Sequence, residues 1–161
     1  MRGWLNFQPN HPDNTNTVYL SESLLGPYVG RSLGVWKCPG DKSMVRNGGV
    51  LRPRVRSIGM SSWLGPDRSL VGAQYWVLPQ YKQMFKAADL DSPQGPAKTW
   101  VMLDEREDSI NNGFFVVSMQ GFDPARGNNP GAEWIDWPAY YHGRAGSFLF
   151  QVLGLAFISE D

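Results

Sequence analysis

Apolar and polar positions alternate through "VRSIGM" at 55–60, and this two-residue period predicts a strand over 54–60. Just upstream, Asn47-Gly48-Gly49 is a hairpin signal. Two further runs, "KTWVMLDE" at 98–105 and "GFFVVSM" at 113–119, are rich in β-branched and aromatic side chains. They predict strands over 99–104 and 113–118. With Asn111-Asn112-Gly113 between them, they are expected to pair antiparallel as the best-ordered hairpin, burying Trp100. "AGSFLFQVLGLAFI", 145–158, is apolar for nearly its whole length and predicts a buried strand pair split at Gly154. One short helix is expected over 22–29, with Ser21 as N-cap and with Pro27 and Gly30 limiting its length. "SLGVWKC" reads as a short extended piece ending at Pro39-Gly40, and "YKQMFKAADL" fits a strand or a helix. Residues 61–80 and 120–138, with their Gly, Pro and Trp, read as long ordered loops. The pattern gives an α+β protein: an antiparallel β-sheet with one or two short helices and long ordered loops.

A length of 161 residues makes 1–161 one domain, and 42% hydrophobic content with 7 Trp, 8 Phe and 6 Tyr supplies an aromatic core. The formal net charge is zero with no basic stripe, so no nucleic-acid partner is expected. No run of ~18 apolar residues is present, so no membrane span is expected. No signal peptide is visible, and by itself the chain would stay in the cytoplasm. The one cysteine, Cys38, has no partner for an intrachain disulfide and is expected as a buried, small apolar side chain before a turn. With only His11 and His142 beside it, the spacing offers no zinc site.

Charge gathers at one turn. Asp104, Glu105, Glu107 and Asp108 stand at the junction of the two strand runs at 98–105 and 113–119, with Arg106 among them. Four carboxylates in a short turn repel one another unless a cation offsets them. Calcium takes ~6–8 oxygen ligands on such a loop. The expected ligand set is Asp104, Glu105, Asp108 and Asn111, with a solvated hairpin tip as the alternative. The spacing is not that of an EF-hand, since the third position from Asp108 is Ile110. No Gly-x-Ser-x-Gly elbow or histidine pair is present, which removes an ordinary serine esterase or zinc hydrolase. What remains as an enzyme is a calcium-dependent hydrolase of small esters or lactones of the acyl-homoserine-lactone kind. There, His142 would activate water and the aromatic side chains would line an apolar pocket. Otherwise His142 packs in an aromatic cluster. Trp134 and Trp137 would form a glycan-stacking platform if exposed, although burial against the sheet is the expectation.

The segments 14–43, "RVRSIGMSSWLG" at 54–65, "PAKTWVMLDEREDSINNGFF" at 96–115 and "YYHGRAGSFLF" at 140–150 resemble prepilin-type, type II secretion pseudopilin-like proteins of planctomycetes and verrucomicrobia. The resemblance spans residues 3 to 150 and implies a pseudopilin-like globular head. It also implies calcium in a loop of the C-terminal sheet, other pseudopilin subunits as partners and a periplasmic or cell-envelope setting. By the resemblance the chain is expected to lack that family's anchor helix, and the tail 151–161 is expected to depart from the family's His-and-Asp-Gly ending. That tail is therefore expected to be dispensable to the sheet. The expected role is structural: a soluble, truncated head that binds calcium and serves assembly, with a small apolar ligand as the other partner.

Overall fold

The Asn-Gly-Gly signal makes a two-residue hairpin. Strands β1 (Met44–Asn47) and β2 (Val50–Pro53) pair antiparallel in the register Asn47↔Val50. Gly48 and Gly49 close the turn at φ +60° and +80°, the conformation a two-residue hairpin of matching twist demands. In the computed structural model, residues 10–65, 81, 83–91, 95–123, 125, 133–143, 145–150 and 154–159 are described. Much of the expected loops at 61–80 and 120–138, and residues 151–153 and 160–161 of the tail, lie outside them.

The central sheet has five strands in the order β5-β3-β4-β8-β9. They are β3 (Ile58–Ser61), β4 (Trp100–Asp104), β5 (Phe114–Phe115), β8 (Ala145–Phe150) and β9 (Gly154–Ser159). A small separate pair joins β6 (Val117–Ser118) to β7 (Glu133–Trp134). Short helical pieces, the longest being 3-10 turns and one α-turn α1 (Val18–Ser21), complete an α+β architecture. Among the described residues, no helix is long and apolar enough to cross a membrane.

Three expectations are corrected. The runs at 99–104 and 113–118 form strands but do not pair with each other. β3 lies between them, antiparallel to β4 and parallel to β5. The connection is no tight turn: it carries Ile110 to full burial, and Glu105 bridges Pro138, so the chain leaves the hairpin path. The helix expected at 22–29 is instead α1 ending at Ser21 and a 3-10 turn at Gly26–Val29. Between them the chain folds so tightly that a Cβ at Gly26 would lie 2.2 Å from the Ser21 carbonyl oxygen. The tail is not outside the sheet either: β9 pairs with β8 along Ala145↔Ser159 to Phe150↔Gly154. The expected split of this apolar run at Gly154 stands.

Strand alternation sorts the side chains of β3 and β4 onto two faces. Gly59 and Leu103 share one face with Phe115, and this is the core cluster, with Trp100 half-buried against it. Ile58, Met60, Met102 and Phe114 share the other, where they floor a cavity of about 770 Å³.

Candidate functional site

Ser57, wholly buried, organises one end of the sheet. Its N–H donates to the Trp36 carbonyl (2.9 Å), and its hydroxyl accepts from the Cys38 N–H (2.8 Å). Its carbonyl accepts from the Glu105 N–H (2.7 Å). The Cys-Pro-Gly turn and the end of β4 therefore hang on the same residue. From the other side, Ala139 N–H donates to the Asp104 carbonyl (2.8 Å), and Arg106 N–H donates to Trp137 (2.8 Å). These bonds lay the segment 137–139 along β4 and deliver the turn that carries His142.

Three side chains meet there. Cys38 Sγ lies 3.1 Å from His142 Nε2, and a carboxylate oxygen of Asp104 lies 4.0 Å from the same nitrogen. All three donor atoms fall within 4.8 Å of one another. Cys38 and Asp104 are buried, while the His142 side chain is 39% exposed. Burial pushes the Cys38 thiol up from its ordinary value, and the nearby carboxylates of Asp104 and Asp41 add to this; backbone hydrogen bonds from Gly40 and Asp41 oppose it. Among the described residues this is the one convergent group of three or more Cys, His, Asp and Glu ligand atoms.

The four residues expected as calcium ligands do not come together, and alternation is the reason. Asp104 faces Cys38 and His142. Glu105, the next residue, faces the opposite side: Gly59 packs over its carboxylate and it sees the charges of Arg56 and Asp136. Burial pushes the Glu105 carboxyl up to about 8, against the pull of Arg56. Asp108 is exposed and ion-paired to Arg106. The Asn111 amide donates to Asp136 Oδ1 (3.2 Å), and Asp136 Oδ2 accepts from the Val116 N–H (2.7 Å). Glu107 accepts from the Tyr141 hydroxyl (3.2 Å). The repulsion within the acidic turn is relieved by distribution over two faces and by separate partners.

Cys38 is buried as expected, but its meeting with His142 went unforeseen; the two are 104 positions apart. The absence of zinc-ligand spacing along the chain was no guide to spacing across it. The only local signal was the Cys-Pro-Gly turn, where the Gly40 N–H points at Sγ (3.3 Å). Trp134 and Trp137 are 43% and 48% exposed, so neither is buried as expected. Nor do they form a free platform: Trp134 packs edge-on to Phe115, and Arg106 lies over the Trp137 ring.

Gly40 is the joint between the two turns. A Cβ there would lie 2.9 Å from Tyr141 Cβ and 3.1 Å from its carbonyl oxygen. Gly40→Ala is expected to push the His142 turn outward and lose about 1–3 kcal/mol, the range for overpacking. Urea unfolding would show it; a variant as stable as the parent would mean that the two turns move apart freely.

The fold and this donor cluster define an α+β protein with a Cys–Asp–His group at one end of its central sheet. No family model, curated protein or solved structure matches the chain.

Proposed function

We propose that this chain is a structural, self-assembling head rather than an enzyme, in the role its pseudopilin-like resemblance implies. The observation that carries this is apolar exposure concentrated in one stretch. Val18, Leu24, Leu25, Tyr28, Leu33 and Val35 are all exposed large apolar side chains, with Leu24 at 93% and Tyr28 at 86%. Leu24 and Leu25 also rim the cavity floored by Met60 and Met102. Exposed apolar surface next to an apolar hollow is the mark of an interaction site. The occupant proposed is a second copy of this chain. A formal net charge of zero leaves no long-range repulsion between copies.

Sedimentation equilibrium tests this. Self-association should appear at or below about 100 μM, a level matching about −5 kcal/mol. It should weaken at least tenfold in the double variant Leu24→Glu, Tyr28→Glu, whose side chains contact little of the fold. A parent that stays monomeric over that range, or a double variant that associates equally well, overturns the proposal.

The Cys38–His142 contact is the one observation that favours the other reading, a hydrolase of small esters or lactones. Two features weigh against it. In a nucleophile–base–carboxylate relay the acid holds the nitrogen opposite the nucleophile, whereas Cys38 and Asp104 here approach the same Nε2. A catalytic thiol also needs a lowered pKa, and burial pushes this one up. Turnover of a panel of esters and lactones that a chelator abolishes and calcium restores would establish the hydrolase; none is expected.

A further inference from the structure

From the placement of Cys38, Asp104 and His142, we infer that the chain binds one divalent cation of the zinc class through Cys38 Sγ, His142 Nε2 and an Asp104 carboxylate oxygen.

The donor geometry comes first. A tetrahedral zinc ion with bonds of about 2.3 Å to sulfur and about 2.0–2.2 Å to nitrogen and oxygen sets its donors roughly 3.3–3.6 Å apart. The observed 3.1 Å from sulfur to nitrogen and 4.0 Å from nitrogen to oxygen straddle that spacing. Shifts of a few tenths of an ångström bring those two separations onto one ion, and sulfur and oxygen lie within 4.8 Å of each other. Convergence of sulfur and carboxylate on a single imidazole nitrogen is what a shared cation requires, because each ligand must aim its lone pair at a common point.

Charge comes second. A thiolate and a carboxylate beside a neutral imidazole carry two negative charges, which a divalent cation offsets. Both of these donors are buried, and coordination displaces the thiol proton as the ion binds. The Gly40 N–H directed at Sγ supports the thiolate further.

Ligand type decides the class of ion. Calcium and magnesium select oxygen, and calcium takes ~6–8 such ligands. Here two of the three donors are sulfur and imidazole nitrogen, the pair that suits zinc. Three protein donors leave a fourth tetrahedral position for water, and the His142 side chain is 39% exposed. The ion would tie together three segments: the Cys-Pro-Gly turn, the end of β4 and the C-terminal turn at His142. An ion so placed would cross-link the three segments, although structural zinc sites are closed by a fourth protein ligand and, among the described residues, this one is not. This inference is independent of self-association, since the ligands lie outside the 18–35 stretch.

The test uses the full chain, without an affinity tag, freed of metal by a chelator and titrated with cobalt(II). A sulfur-to-cobalt charge-transfer absorption is expected to saturate at one equivalent, with the strong visible bands of a tetrahedral site. Zinc should displace the cobalt, and a large excess of calcium should not. Cys38→Ser should abolish the charge-transfer band. His142→Ala and Asp104→Asn should each weaken binding about tenfold or more. His142 is the most exposed of the three, so His142→Ala keeps the test decisive if Cys38→Ser fails to fold; circular dichroism would confirm its fold. Asp108→Ala should bind as the parent does. Absence of a saturable band, displacement by calcium, or unchanged affinity in a folded His142→Ala variant overturns the inference.

Discussion

Phe115→Ala will destabilise the fold by about 3–5 kcal/mol, the range for truncating a buried aromatic. Phe115 is fully buried on the core face of the sheet, against Leu103. Its ring meets Trp100 edge-to-face at 5.7 Å and Trp134 at 5.7 Å. One side chain thus links β5 to the central strand β4 and to β7 of the small pair. Removing it leaves a void that two large, partly exposed indoles cannot collapse to fill, because each is anchored in its own strand. Urea unfolding monitored by tryptophan fluorescence reads both the lost stability and the changed indole environment. A loss below about 1 kcal/mol would mean that the indoles close the gap and that Phe115 does not join the elements.

The second large effect lies in the buried ionic group behind β4. Arg56 is 1% exposed, and its guanidinium donates to the backbone carbonyls of Ile58 and Asn112. Burial lowers its pKa to about 10, so it remains charged at neutral pH. Arg56→Ala strips two carbonyls of their donor and leaves Glu105 and Asp136 without their nearest buried cation. A loss of about 1–3 kcal/mol for each buried carbonyl left without its donor is expected in urea unfolding.

Glu105 is the pH-sensitive member of the group. Its carboxyl rises from an ordinary 4.5 to about 8, chiefly through burial. The folded state therefore holds the proton more tightly than the unfolded chain does between those values. Its contribution to stability is fully present below about pH 4.5 and is lost as pH rises through 8, at most about 1.4 kcal/mol per pH unit. Asp136, also pushed up by burial, adds the same sign. In chelator-treated protein, unfolding free energies from pH 5 to 9 should fall for the parent and flatten for Glu105→Gln. Superimposable profiles would show that Glu105 ionises as freely in the fold as outside it.

The elements that were legible in the sequence share one property: their signal is local. Asn47-Gly48-Gly49 closes its hairpin because two adjacent glycines accept positive φ and the flanking strands need nothing distant to find their register. The run 98–105 forms β4, and the apolar run at 145–158 forms β8 and β9 on either side of 151–153. The partner of 113–118 was not legible. Proximity in sequence favoured β4, but burial of Ile110 and the Glu105–Pro138 bridge carry the connection off the hairpin path and admit β3. The site was half legible. Asp104 and His142 stand out by residue type, yet they were assigned to separate roles.

Strand periods, the glycine hairpin and the α+β class follow from the sequence by itself, because each rests on residues within one element's length; the expected aromatic core does not, since the buried apolar side chains among the described residues are mostly aliphatic. Tertiary structure decided which carboxylates share a site. Successive residues of a strand face opposite ways, so Asp104 and Glu105, neighbours in the chain, are parted by the sheet between them. Cys38 and His142, 104 positions apart, are joined through Ser57 and the 137–139 backbone. Covalent order set the density of charge at that turn. The sheet, by splitting it between a donor cluster and a buried ionic group, set what the charge can bind.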